Sequence, residues 1–306
     1  MTGASGPDAA ASAAGLPGLP DLSGRTALVT GANSGIGLPT ARELARYGAR
    51  VLLACRGAAK GEAAVAHIRE RVPGAEVETV QLDLADLASV RALGEELPDR
   101  LDGLDLLVNN AGVGMIPRRT TADGFEMQFG TNHLGHFALT GLLLPLLLRR
   151  PGARVVTVSS DNHAKGSLDF DDLGAERSYS RNGQYARSKL ANLLFTRELQ
   201  RRADAVGAKL LSVAADPGTT ATNIGTAPRW VTALMGLFLQ SPDKGAAPSL
   251  HAATAADVTG GGCYGPGPKL VTPAENARDE QSAVRLWEIS EGLTEVRFTG
   301  LAESAR

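Results

Sequence analysis

Cysteine is nearly absent: Cys55 and Cys263 are the only two in 306 residues. So few thiols, so far apart, exclude a disulfide framework, and nothing pairs them with histidine at zinc-ligand spacing. A cytoplasmic, reducing location is the expectation. Charge of one sign is also lacking, since 31 Lys and Arg against 33 Asp and Glu leave a net charge of −2 with both signs interspersed. Nothing in that balance draws nucleic acid or anionic lipid. Long apolar runs are missing too. The longest, Leu142 to Leu148, is broken by Pro145 and falls far short of the roughly 20 residues that cross a bilayer. The first twenty residues, Met1 to Pro20, are mostly Ala, Gly, Ser and Pro. They have neither the basic start nor the apolar stretch of a signal peptide and read as a disordered leader or a misplaced start site.

What is present is a regular alternation. Thr26 to Thr30 is a short apolar run ending in glycines, as in a buried parallel strand. A helix is expected from about Ile36 to Tyr47, with Gly48 past its end and Pro39 in its first turn. The cycle repeats through strands at Arg50–Ala54, Val77–Leu82, Leu104–Val108, Arg154–Val158 and Lys209–Ala214. Helices are expected at Lys60–Arg71, Leu87–Leu97, Phe125–Arg149 and Gln184–Ala205. Such alternation implies an α/β fold, a doubly wound parallel sheet with helices on both faces. No repeat or linker divides it, so residues 21–306 form one expected domain. After the sixth strand come an apolar helix at Trp230–Leu239, a strand at Gly260–Tyr264 and a helix at Ala274–Glu291. This material is expected to form a lid over the strand ends.

Thr30-Gly31-Ala32-Asn33-Ser34-Gly35-Ile36-Gly37 joins the first strand to the first helix. Gly31 permits a tight turn, Gly35 a close backbone approach to a pyrophosphate, and Gly37 close helix–strand packing. The helix N-terminus adds N–H donors and partial positive charge. The second strand ends Ala54-Cys55-Arg56, without the acid that bonds the 2′-hydroxyl of NAD. Arg56 suits a 2′-phosphate instead, so NADP(H) is the expected cofactor.

Tyr185-Ala-Arg-Ser-Lys189 puts a phenol and an ammonium at i and i+4 on one helix face. A nearby fixed ammonium stabilises phenolate and is expected to lower the phenol's pKa from about 10. Tyr185 then gives a proton to a carbonyl oxygen, or takes one from an alcohol. Val155 to Ser160 reads as a buried strand whose terminal serine can polarise that carbonyl.

Together with Asn109-Asn110-Ala111-Gly112, Asn132 and Pro217-Gly218, these motifs resemble, in the same order, those of the short-chain dehydrogenase/reductase family. The resemblance covers nearly all of the chain from about residue 24. It is strongest toward the retinol dehydrogenase and protochlorophyllide-reductase-like branch, through Asp123–Gly135, Ser188–Asn192, Arg285–Glu291 and the 25 positions from Ser160 to Tyr185. It implies a catalytic tetrad of Asn132, Ser160, Tyr185 and Lys189. Lys189 also binds the nicotinamide ribose in that scheme, and Asn132 helps hold a proton-relaying water. Asp83 and Leu84 border the adenine, Asn110, with Ala111 and Gly112, the adenine-side ribose, and Thr219 to Thr222 the nicotinamide carboxamide. Relatives often pair through the helices holding Asn132 and Tyr185, so a homo-oligomer is allowed. One departure is Asp216 before Pro217-Gly218, where the family's usual residue is His.

No metal is expected. His133 and His136 stand one turn apart, but no third ligand follows at suitable spacing. His163 reads as a solvated loop residue, Asp171-Asp172 as surface acids, and Trp230 and Phe238 as one apolar helix face. Three functional readings stay open at this stage. The first is carbonyl–alcohol interconversion on a fairly apolar small molecule, possible in a biosynthetic pathway. The others are reduction of an imine or activated C=C bond, or a guided cyclisation, and a non-catalytic NADP-binding sensor or scaffold.

Overall fold

The computed structural model describes residues 18–218 and 241–301. Within them, β1 (Thr26–Thr30), β2 (Arg50–Cys55), β3 (Val77–Gln81), β4 (Leu106–Asn109), β5 (Ala153–Val158), β6 (Leu210–Ala215), β7 (Cys263–Gly265) and β8 (Lys269–Val271) form one sheet. Its order is β3-β2-β1-β4-β5-β6-β7-β8, and every pair is parallel except the hairpin β7–β8. The helices are α1 (Gly37–Arg46), α2 (Ala58–Arg71), α3 (Leu87–Arg100), α4 (Gly135–Leu148), α5 (Arg181–Ala205), α6 (Pro242–Thr254) and α7 (Glu280–Thr294).

Both sheet faces are covered, and this explains the continuous apolar strands. Ala27 and Val29 enter a core shared with Leu44 of α1, Ile68 of α2 and Leu250 of α6. Leu28 between them enters the opposite core, with Leu93 of α3, Leu143 of α4 and Leu199 of α5. Behind α4 and α5, α7 completes that second core: the Trp287 ring lies 5.0 Å from Phe137, 5.8 Å from Phe195 and 4.3 Å from Phe298. The expected Rossmann-type α/β architecture is the one observed.

Local differences have local causes. The helix expected over Phe125–Arg149 is a short turn at Met127–Phe129, a π-helical turn at Gly130–Leu134, and α4. Asn132 sits in the π turn, which periodicity does not reveal. Helix α5 starts early because the Ser180 side chain caps the Gly183 N–H. The strand expected at Gly260–Tyr264 is displaced into the β7–β8 hairpin, since Gly261 takes a turn conformation at φ 73°. Asp279 caps α7 and separates it from a 3₁₀ turn at Glu275–Arg278. Of the expected lid, α6 packs on α1 and α7 on α4 and α5, within the helical layers. Trp230–Leu239, with Phe238, lies outside the described residues. So does the leader up to residue 17, while Leu19 is buried in the first core. None of the described helices is long and apolar enough to cross a membrane.

Candidate active site

The strand order reverses direction beside β1 and β4, which opens a crevice at their carboxyl ends. The loops after these two strands line it and touch. Gly31 (φ 65°) and Gly35 (φ 56°) adopt the left-handed conformation that glycine takes without strain. A Cβ on Gly31 would stand 3.0 Å from Cβ of Ala111, and one on Gly37 only 2.5 Å from Asn110 Nδ2 and from the Gly31 carbonyl. The Gly31 N–H donates to the Ala54 carbonyl (2.8 Å), which ties the loop to β2. Asn33 and Ser34 lie at the rim and Ile36 is buried at the start of α1, whose first turn carries no acid. The Leu38 and Thr40 N–H groups already donate to the Ser34 and Ile36 carbonyls and Pro39 has none, so the positive end of the helix, more than a row of free donors, favours an anion there. Cys55, its thiol pushed up to about 11 by burial, receives the Ala32 and Asn33 N–H groups beneath the loop.

Thr30 joins the two loops. Its hydroxyl accepts the N–H of Asn110 and of Ala111 (both 2.9 Å) and meets His136 Nε2 at 2.9 Å. His136 Nδ1 lies 2.9 Å from the Asn132 carbonyl, which can only accept. Nδ1 therefore carries the proton and Nε2 accepts from Thr30. Burial holds His136 down at about 4, so it is neutral at physiological pH. Asn110 Nδ2 donates to the Thr30 carbonyl (2.7 Å), while Asn110 Oδ1 is buried with no protein partner. A sugar hydroxyl would satisfy that oxygen. The glycine cradle, helix N-terminus and orphaned acceptor together fit a dinucleotide.

The remaining cofactor positions stand on the same edge. Arg56 is exposed at the end of β2, and its carbonyl accepts from Gln81 Nε2. Asp83 follows β3, but its Oδ1 is engaged by the Ala85 N–H (3.0 Å), so the carboxylate holds its own turn. Leu84 is buried against Gly135. Gly112 is exposed. Pro217 and Gly218 (φ 66°) leave β6, whereas Thr219 and Thr222 lie outside the described residues.

The four expected catalytic residues converge here. Asn132 is fully buried: its Nδ2 donates to the Val113 carbonyl (2.8 Å) and Ser188 Oγ (2.9 Å), and its Oδ1 accepts the Val113 N–H (2.8 Å). Its side chain thus braces the segment after β4 against α5. Ser188, whose hydroxyl donates to the Tyr185 carbonyl, completes that link, a role its sequence context does not announce. Lys189 Nζ donates to the Val158 carbonyl (3.0 Å) at the end of β5 and lies 5.7 Å from the centre of the Tyr185 ring. A Cβ on Gly112 would stand 3.7 Å from the same Nζ, so the cofactor crevice and the lysine adjoin. Ser160 caps a 3₁₀ turn at Asp161–Lys165, donates to Asp161 Oδ1 (3.0 Å) and hydrogen-bonds the Tyr185 side chain.

The electrostatics overturn one expectation. Tyr185 is not made acidic here: burial pushes its phenol up to about 12, against the Ser160 hydrogen bond, and Asp216 and Asp161 add to the rise. Burial brings Lys189 down to about 8, and Asp216 opposes that fall. The lysine beside the ring is therefore not sufficient to offset desolvation of the phenolate.

His163 is also not the solvated loop residue expected. It is 9% exposed; Nδ1 donates to the Ser160 carbonyl (2.7 Å) and Nε2 accepts the Ala274 N–H (3.1 Å), which ties the serine turn to the C-terminal segment. His133 and His136 diverge: Nε2 of His133 meets Ser290 Oγ at 2.9 Å, that of His136 meets Thr30. Asp171 is exposed and stands 3.8 Å from Arg285, as expected of a surface acid, whereas the Asp172 side chain is largely covered: it accepts the Glu176 N–H (2.7 Å) and pairs with Arg177, which holds its own turn.

Comparison with known proteins agrees with this geometry. Residues 25–229 match the model of the short chain dehydrogenase family. Human retinol dehydrogenase 14 is 44% identical over 298 residues, covering 90% of this chain and 88% of that protein. Mouse polyprenol dehydrogenase is 43% identical over 294 residues, covering 93% and 86%. Among solved structures, an uncharacterized protein from Mycobacterium paratuberculosis superposes with a TM-score of 0.77 at 44% identity, covering 92% of this chain and 97% of that one. A short chain dehydrogenase from Escherichia coli CFT073, complexed with NADPH, gives 0.65 at 26%, covering 82% and 100%. The chain belongs to the short-chain dehydrogenase/reductase family and is an NAD(P)-dependent oxidoreductase.

Proposed function

We propose that this protein is an NADP(H)-dependent enzyme that interconverts a carbonyl and an alcohol on a fairly apolar small molecule. The observation that carries this reading is the convergence of Ser160, Tyr185 and Lys189 beside Gly112, where the dinucleotide crevice ends. NADP(H) is favoured by Arg56 at the end of β2 with no acid beside it, and by the NADPH bound to the E. coli relative. The apolar substrate class is supported by relatives named for retinol and polyprenol.

In the reducing direction Ser160 Oγ and the Tyr185 hydroxyl hold the substrate's carbonyl oxygen. Held by the Gly31–Gly37 loop and the Asn110–Gly112 segment, a reduced nicotinamide cofactor would supply the hydride that the carbonyl carbon takes. Tyr185 releases its proton to the oxygen as negative charge develops there, which completes the alcohol and leaves a phenolate. The Lys189 ammonium, held by the Val158 carbonyl, stabilises that phenolate. Neutral His136 and Thr30 keep the two loops in register meanwhile.

The test is NADPH absorbance over a panel of apolar aldehydes, ketones and alcohols. Tyr185→Phe should lower turnover by about 10²- to 10⁴-fold while cofactor binding persists; retained turnover refutes the assigned acid. Arg56→Ala should weaken NADPH by roughly tenfold or more, the value of a charge-assisted phosphate bond, and leave NADH unchanged.

A further inference from the structure

Ser160 begins where the support of the sheet ends. Ser159 before it is tied down twice: its N–H donates to the Ala215 carbonyl (2.8 Å) and its hydroxyl to the Lys189 carbonyl (2.9 Å). Ser160 itself is half-buried at the head of the 3₁₀ turn Asp161–Lys165, whose residues other than His163 are exposed or half-buried. So short a turn has little stability of its own. Where its first residue sits therefore depends on what the turn is fastened to.

The fastening runs through His163. Its N–H and its Nδ1 both donate to the Ser160 carbonyl, at 3.0 and 2.7 Å. On the other side of the ring, Nε2 accepts the Ala274 N–H (3.1 Å). A carbonyl only accepts and an amide N–H only donates, so these two bonds fit only the tautomer with its proton on Nδ1. Asn276 Nδ2 donates to the His163 carbonyl (3.2 Å) and to the Gly166 carbonyl (2.8 Å). Gly166 is pressed against α5: a Cβ there would stand 2.6 Å from the carbonyl of Ala186, the residue after Tyr185. Ala277 is fully buried, which makes the C-terminal segment a firm abutment.

We propose that His163 is a positioning residue: its ring is a strut between Ala274 and the Ser160 carbonyl that sets where the serine hydroxyl meets the substrate's carbonyl oxygen. The inference rests on the carbonyl–alcohol reading above and adds to it a residue that acts through Ser160. The serine donates to an oxygen on which negative charge develops, and that help depends on placement. A shift of about 1 Å can cost about 100-fold in rate.

His163→Phe keeps a flat ring and removes both ring bonds. On a substrate that the panel identifies, kcat should fall by about 10- to 100-fold, with the KM for NADPH unchanged. In a Ser160→Ala background the same change should cost less than about twofold, since the strut then has no hydroxyl to place. An equal loss in both backgrounds would overturn the proposal, because damage to packing does not need the serine. Full turnover in His163→Phe alone would overturn it too. Two measurements need no substrate. Imidazole nitrogen NMR shifts of the wild-type chain should show the proton of His163 on Nδ1, and a ring protonated on Nε2 alone sinks the strut. Amide hydrogen exchange in His163→Phe should quicken at Asp161–Gly166 and Ala274–Ala277 while α5 stays protected, and unchanged exchange in both segments also sinks it. If the wild-type chain turns over nothing on the panel, the functional reading fails, while tautomer and exchange still decide whether His163 holds the turn.

Discussion

Replacing Thr30 by valine changes one oxygen for one methyl and leaves the shape of β1 intact. That oxygen serves two N–H donors, Asn110 and Ala111, and one imidazole acceptor, His136 Nε2, each at 2.9 Å. Thr30 and His136 are buried, and Asn110 and Ala111 are half-buried. Each orphaned group costs about 1–3 kcal/mol when water cannot reach it. Because the two amides border an open crevice, the lower half of that range applies, for a total of about 3–6 kcal/mol over the three groups. Denaturant unfolding of Thr30→Val beside Thr30→Ser measures it directly: serine keeps the oxygen and should recover most of the loss. The valine variant should also bind cofactor more weakly, since the Asn110–Gly112 backbone loses its anchor. A valine variant within about 0.5 kcal/mol of wild type, or a serine variant equally damaged, would refute the hub.

Acid should destabilise the fold early. Burial holds His133 at about 3 and His136 at about 4, against an ordinary 6.5. Below pH 6.5 the unfolded chain gains protons that the native state refuses. Their stabilising contribution is therefore complete above pH 6.5 and lost on descending toward pH 4, at up to roughly 2–3 kcal/mol per pH unit when both titrate. Urea unfolding at a series of pH values through that window checks this, and a flat profile counts against neutral buried imidazoles. Gly37→Ala drives a Cβ onto Asn110 Nδ2 and the Gly31 carbonyl. A stability loss of about 1–3 kcal/mol from overpacking should accompany a clear fall in NADPH affinity, read by its fluorescence; unchanged binding would mean the loops yield freely.

The strand–helix alternation was legible because a parallel sheet buried on both faces leaves uninterrupted apolar runs, as at Ala27-Leu28-Val29. The glycine loop, Ser160, Tyr185 and Lys189 were legible because each stands at a strand end or one helical turn apart. Less could be read where partners come from distant segments. His163 gave no sign that Ala274, 111 positions on, would donate to it. Nor did Thr30 announce its bond to His136 across 106 positions. The phenol's acidity was misjudged for a related reason: an i,i+4 spacing shows that Lys189 is near Tyr185, but not how thoroughly both are removed from water.

Trp287 wedges Phe137 of α4 and Phe195 of α5 from the side away from the sheet. The second of these helices carries Tyr185 and Lys189, and the first continues from the turn that carries Asn132. The reactive groups are thus backed by a keel that α7 supplies. Damage to α7 would register as lost turnover at a distance from the reacting atoms.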